Sequence, residues 1–422
     1  MKKTSALALA LALLISLLTV ASCNIFTKEA VFIPIQNGNA FAFAFHNDHT
    51  ITEYVIPETN GGKPVTEIGL GAFIAFSLEK ITISKNITAI NSMAFFECQN
   101  LKEVIIAEGS HLQSIGTYAF ASCPSLERIN LPEGLIKIDS TAFAACTSLE
   151  KINLPESLTT IGTQAFEYCL SLREVHIPAN VSTINPLAFN DCPSIERFTV
   201  DESNPYFDEI DGNLYTEGGS TLIRYAPANP NTSFTLPNQT VEIEADAFSD
   251  CVNLENIYVE EGNEEFVSDN GILYSTMESV FLVFEDLIKY PAGRKDEEFV
   301  ITKHIIHVNE YAFEDCVYLK KIDLVNKDYE PDSDDFFASI HGVGVDQLQN
   351  WSIDSCPALT TVILPGNLSP ISFSLFNDCP SLTDIYFGGT MARWQEISKS
   401  MTENFNTGKY VVHCSDGDIL PE

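Results

Sequence analysis

Nine cysteines fall in one repeating column: Cys98, Cys123, Cys146, Cys169, Cys192, Cys251, Cys316, Cys356 and Cys379, at spacings of 25, 23, 23, 23, 59, 65, 40 and 23 residues. With Cys23 and Cys414 the chain holds eleven. Cysteines in an exported chain normally suggest disulfides. One column, however, directs its side chains into one shared interior, where free cysteine behaves as a small buried apolar residue. A ladder of buried thiols is therefore expected. Disulfides between neighbouring coils, whose Cα separation would suit them, and metal ligation stay open as alternatives. The histidines offer less. His46-x-x-His49 and His304-x-x-His307 lack the helical H-E-x-x-H setting and a downstream third ligand, so no metal site is expected. The acidic run Asp328 to Asp335 lacks the spacing of a calcium loop and reads as a solvated loop. No G-x-S-x-G, phosphate-binding loop or dinucleotide fingerprint is present. No catalytic residue and no cofactor are expected.

Around the cysteines, other columns keep the same register. Eight residues before them stand Ile90, Ile115, Ile138, Ile161 and Ile184; three before, Phe95, Phe120, Phe143, Phe166 and Phe189; three after, Leu101, Leu126, Leu149 and Leu172. Six and eight after come pairs such as Ile129/Leu131 and Val175/Ile177. This last pair has period two, which predicts a short strand with one buried face. A proline follows at Pro132, Pro155 and Pro178 and ends it. The A-F-x-x-C segment is compact and reads as a helical turn or short helix. One coil cannot bury these columns alone, whereas a stack of coils can.

Each predicted strand also has an outward side. Four, five and seven residues after the cysteine, or in equivalent places, lie Lys80, Lys102, Arg128, Lys151, Arg173, His176, Arg197, Tyr258, Lys320, Lys321 and Tyr386. The formal charge of the 422-residue chain is −35, from 23 basic and 58 acidic residues. That balance argues against nucleic acid and anionic lipid surfaces as partners. A concentration of cations on one face of so acidic a chain suggests a ligand face. The competing reading is that these charges pair with acids on neighbouring strands, each pair contributing a fraction of a kcal/mol.

The two ends of the chain differ from the middle. Residues 1–22 read as a signal peptide, with Lys2-Lys3 before an apolar core from Ala6 to Leu18 that is shorter than the roughly 20 residues of a spanning helix. Val20-Ala21-Ser22-Cys23 resembles a bacterial lipobox. Lipidation of Cys23 is expected, which would anchor the protein to a membrane; an ordinary secretory signal is the alternative. Residues 23–52 form the lipidated N-terminus and a cap, with V-F-I-P-I and A-F-A-F-A-F as a hairpin around Asn37-Gly38-Asn39. The repeat array runs over 53–387. Two related insertions, about 204–237 and 263–302, share F-x-x-x-[DN]-G-x-L-Y and read as β-hairpins. Residues 388–422, with a helical stretch around Trp394 and Ile397 and a final strand, read as the C-terminal cap.

The pattern I-x-x-x-A-F-x-x-C-x-x-L-x-x-I-x-[IL]-P resembles the BspA-type leucine-rich repeat of bacterial and protozoal surface proteins, from about Glu53 to Phe387. The resemblance implies a repeat solenoid of short parallel strands and short helical turns, with two β-hairpin insertions and terminal caps. It further implies display at a cell surface and adhesion to host proteins or other cells, and it supplies no catalytic residues. The expected protein is a non-enzymatic lipoprotein on the outer cell surface that binds a protein or glycan partner. The alternative is a periplasmic or envelope scaffold.

Overall fold

The computed structural model describes residues 30–278, 283–302, 305–325, 345–371, 374–399 and 406–421. The stretch 1–22 that reads as a signal peptide, Cys23, His304 and the acidic run 328–335 lie outside the described residues. The chain divides into two compact units, Met1–Glu209 and Ile210–Glu422. The division falls inside the first insertion.

In the first unit most coils carry two short strands, one more than the period-two pair predicts; at Lys151 and Asn153 the first of them is reduced to isolated bridges. The predicted strand forms one parallel ladder through Glu53–Val55, Lys80–Ile83, Glu103–Ile106 and Arg128–Ile129, with a further pair Glu174–Ile177 and Arg197–Val200. A second ladder is built from the isoleucine column: Lys63–Ile68, Ala89–Ile90, Ser114–Ile115, Lys137–Ile138, Thr160–Ile161 and Thr183–Ile184. Two-residue strands carry too little alternation to be read from sequence. The N-terminal hairpin, Ala30–Ile35 with Ala40–His46, joins this second ladder through Lys63–Ile68 and covers its edge. Phe43 of the hairpin stacks on Phe73 of the first coil at 4.9 Å and 8°.

The A-F-x-x-C segment is not a helix in most coils, and the reason is local. The residues five and one before the cysteine are left-handed: Met93 and Glu97, Tyr118 and Ser122, Thr141 and Ala145, Gln164 and Tyr168, all with φ between 55° and 60°. Two such residues in five break an α-helix and leave two successive turns. Their cost, on the order of 1–2 kcal/mol each, is offset by a complete accounting of backbone hydrogen bonds. The N–H groups of Thr141, Phe143 and Ala145 donate to carbonyls of the next coil, those of Thr163, Ala165 and Glu167. Those of Ala142, Ala144 and Cys146 donate three residues back, within the coil. Alternate amides therefore tie the coil to its neighbour and close it on itself. Pro186–Phe189, where proline fixes the backbone at the segment's start, is instead a short 3-10 helix.

This geometry places the two defining columns. Phe73, Phe95, Phe120, Phe143, Phe166 and Phe189 stack face to face at 5.0–5.4 Å, within 7° of parallel. The cysteines are free and buried from Cys98 to Cys379, as the thiol-ladder reading expects. Each early thiol points at the phenylalanine carbonyl of the preceding coil: Cys123 Sγ to Phe95 at 3.1 Å, Cys146 to Phe120 at 3.2 Å, Cys192 to Phe166 at 3.1 Å. Burial pushes the Cys146 thiol up to about 12. A weak donor small enough for the interior meets a buried acceptor, a combination alanine lacks.

The second unit uses the same coil. Its hairpins are present, and their last strands are themselves members of the stack. Thr221–Arg224 pairs antiparallel with Asn213–Thr216 and parallel with Glu242–Ile243, setting Leu222 beside Ile243. Val283–Lys289 does the same between Ile272–Glu278 and Ile305–Val308. Tyr225 and Tyr290 then occupy the phenylalanine column, donating N–H to Ala247 and Ala312 just as Phe120 donates to Ala142. Ser233–Leu236 and Glu298–Val300 complete the coils in the other ladder. Each insertion thus hides a coil that lacks a cysteine, which is why the spacings of 59 and 65 are so long. At the C-terminal end, Val411–Cys414 and Gly417–Ile419 extend the ladder, and Trp394 of the helix Met391–Ile397 packs on Phe387 at 5.3 Å.

Candidate functional site

The outward side of the first ladder carries the polar residues that the sequence singles out. In the first unit, Arg128 and Asn130 are exposed on either side of the buried Ile129, and Lys151 and Asn153 on either side of Ile152. Strand alternation thus separates core from face. The cations there are mostly paired with an acid one coil away. Lys80 lies 3.0 Å from Glu103, Lys102 3.0 Å from Glu79, Arg173 3.0 Å from Glu196 and Arg197 2.7 Å from Glu174. In the second unit Lys320 pairs with Glu297 at 2.6 Å and Lys321 with Glu298 at 3.2 Å.

Two cations depart from this pattern. Down the column, Lys80, Glu103, Arg128, Lys151, Glu174 and Arg197 stand on successive coils. Glu103 is taken by Lys80 and Glu174 by Arg197. Arg128 and Lys151, adjacent and exposed, have no ion pair among the described residues. Like charges on neighbouring strands are mildly destabilising. A bound anionic group would relieve that.

The aromatic positions are in the second unit. Tyr258 is exposed and forms one wall of an open cleft of about 500 Å³, shared with Asn256, Glu260 and Asn270. Tyr386 is exposed on one side and stacks on His413 at 4.6 Å on the other.

Three histidines have carboxylates from neighbouring segments around them, which no local motif announces. His176 Nδ1 is 3.0 Å from Thr199 Oγ1, and its ring shares one patch with Glu156 and Asp201, the three ligand atoms lying within 4.8 Å of one another. His307 Nδ1 is 2.9 Å from Asp286, and donating a hydrogen bond to that carboxylate raises its pKa above the usual imidazole value. His413 lies 3.0 Å from both Asp384 and Asp418 and is raised for the same reason, Asp384 first. The signal that could have found these groups is separation by about one coil rather than by three or four residues: 156, 176 and 201 are 20 and 25 apart. The second unit also buries charge. Arg224 donates to the Asp246 carbonyl at 2.7 Å and lies 3.5 Å from Asp250. Lys289, one hidden coil later, donates to the Tyr311 carbonyl at 2.7 Å and lies 3.6 Å from Glu314. Burial raises the Glu314 carboxyl to about 7.

Known proteins match this architecture. A family model described as the BspA type leucine rich repeat region matches in six copies, over residues 29–110, 66–196, 226–279 and 293–415. The pneumococcal vaccine antigen PcpA is similar in structure, with 21% identity, a TM-score of 0.57, and coverage of 92% of this chain and 100% of that one. A leucine-rich cell surface protein of Faecalibacterium prausnitzii A2-165 is 22% identical with a TM-score of 0.50, covering 90% of this chain and 98% of its own. At these identities the two structures speak for the fold. No curated protein matches. No helix among the described residues is long and apolar enough to cross a membrane. The family model covers most of the chain and its repeats coincide with the stacked coils, so the chain belongs to the BspA-type leucine-rich repeat family.

Proposed function

We propose that the protein is a lipid-anchored, non-enzymatic binding protein of the cell surface, adhesin-like in action, that holds a protein or glycan partner against the outward side of its strand ladder. The observation that carries this reading is the adjacent pair Arg128 and Lys151, exposed and unpaired in a chain of net charge −35. Elsewhere on the face Lys and Arg are neutralised by the fold itself. A carboxylate, sulfate or phosphate of a partner would complete this pair through charge-assisted hydrogen bonds, with Asn130 and Asn153 supplying further donors beside it. A repeating surface suits recognition by distributed polar contact and needs no covalent step. Family membership supports a repeat-based surface or binding role. The names of two similar structures, a vaccine antigen and a cell surface protein, lean the same way. The stretch Val20-Ala21-Ser22-Cys23, which resembles a lipobox, supports the anchor.

Two measurements test the proposal. Protease added to intact cells should remove the protein while sparing a periplasmic control; protection of both would favour an envelope scaffold and refute surface display. Once a partner is captured, the double variant Arg128→Glu, Lys151→Glu should weaken its binding at least tenfold, whereas Lys320→Glu, at a cation already paired with Glu297, should change it little. Unchanged binding by the double variant would refute the ligand face.

A further inference from the structure

We propose that Glu156, His176 and Asp201 form a site for a divalent transition-metal ion of the zinc class, one ligand from each of three successive coils of the first unit. The proposal stands independently of the partner-binding reading.

The side-chain chemistry is suitable: one imidazole and two carboxylates are common donors for zinc and its first-row neighbours. Each group also keeps at least one donor position free of other hydrogen bonds among the described residues. His176 meets Thr199 Oγ1 through Nδ1 at 3.0 Å, which leaves Nε2 as the lone-pair nitrogen when Nδ1 carries the proton. A hydrogen bond to the other ring nitrogen is the device by which proteins orient a ligating histidine. Ser203 donates its N–H and its hydroxyl to Asp201 Oδ1, leaving Oδ2 clear of those bonds. The Glu156 carboxylate is exposed and has no hydrogen bond or ion pair among the described residues.

Charge supplies a second argument. On this face Glu79, Glu103, Glu174 and Glu196 each lie within 3.0 Å of a lysine or arginine one coil away. Glu156 and Asp201 have no such cation among the described residues; they converge on a histidine instead. The missing positive charge is where a metal ion would sit. Tetrahedral zinc with bonds of 2.0–2.1 Å holds its ligands about 3.4 Å apart. The three donors lie within 4.8 Å of one another, near enough for small side-chain rotations at the surface to bring them to that spacing. Three protein ligands leave a fourth position for water or for a donor from another molecule. The nine core thiols do not compete, since they are buried.

Isothermal titration of the purified, chelator-treated protein with zinc chloride at neutral pH tests the site. One saturable event is expected. His176→Ala and Asp201→Asn should each weaken it by tenfold or more. Thr199→Val, which keeps the branched shape and removes only the hydroxyl, should weaken it by roughly tenfold through loss of ring orientation. Cobalt as a probe should give visible absorption bands that vanish in His176→Ala. All three side chains lie at the surface or half-buried, so melting curves of the metal-free variants should match the parent and exclude misfolding. Two results would overturn the proposal: no saturable binding below millimolar zinc, meaning that the cluster holds no ion, or binding unchanged in His176→Ala, meaning that the metal sits elsewhere.

Discussion

Truncating one ring of the phenylalanine stack should show how a stack of coils stores its stability. Phe143 is fully buried between Phe120 at 5.3 Å and Phe166 at 5.4 Å, within 6° and 2° of parallel. Phe-to-Ala changes in cores cost about 3–5 kcal/mol through lost transfer energy and the cavity left behind. The upper half of that range is expected here. The alternating amides on either side of Phe143 are hydrogen-bonded to the next coil, so the backbone cannot collapse into the hole without breaking them. Phe143→Leu keeps much of the apolar volume and loses only the two ring pairs, each worth about 0.5–1.5 kcal/mol. It should cost about 1–3 kcal/mol. Hydrogen exchange read by mass spectrometry suits the question, because coils contact only their neighbours. Phe143→Ala should deprotect turn amides from about Phe95 to Phe189 first and most. A cost below 1 kcal/mol, or equal costs for the Ala and Leu variants, would refute the view that ring stacking within a fixed backbone cradle holds the coils in register.

Other expectations follow from single observations. Iodoacetamide at pH 8 should leave the nine column cysteines unmodified in the native protein and label all of them in denaturant, since burial both hides the thiols and raises those such as Cys146; rapid native labelling of Cys146 would contradict the buried ladder. Mild acid should stabilise the second unit. The folded Glu314 carboxyl titrates at about 7 against an ordinary 4.5, with burial as the cause, so the folded state holds a proton that the unfolded state releases. Its contribution is fully present below pH 4.5 and is lost as pH rises through 7. Glu314→Gln should flatten that part of the pH–stability curve, measured by urea unfolding; an unchanged slope would place the titration elsewhere.

The extended segment after the cysteines, the inward columns and the buried thiols were all legible in the sequence, because each rests on a local alternation or on a column repeated many times. The A-F-x-x-C segment was legible as a compact turn, but its left-handed positions were not, for a local reason. A-F-x-x-C has good helix formers, and nothing in Thr141 or Ala145 announces a left-handed backbone. Only the next coil, offering carbonyls to every second amide, makes that conformation worth adopting. Much the same holds for the hidden coils. Tyr225 and Tyr290 replace phenylalanine and no cysteine follows them, so the column pattern breaks while the backbone pattern continues.

The functional surface divides along the same line. Period and alternation were enough to place Arg128, Lys151 and His176 on the outward side of one ladder. Which charges cancel was a matter for the fold, since that depends on the side chains one coil above and below: Glu103 leans to Lys80 and Glu174 to Arg197, which isolates the two cations between them. The meeting of Glu156, His176 and Asp201 is likewise a property of stacking. A repeat determines by itself which residues face inward and which outward, because that is periodicity along one coil. Contacts between coils are set by register and rotamer across the ladder, and those exist only once the chain is wound.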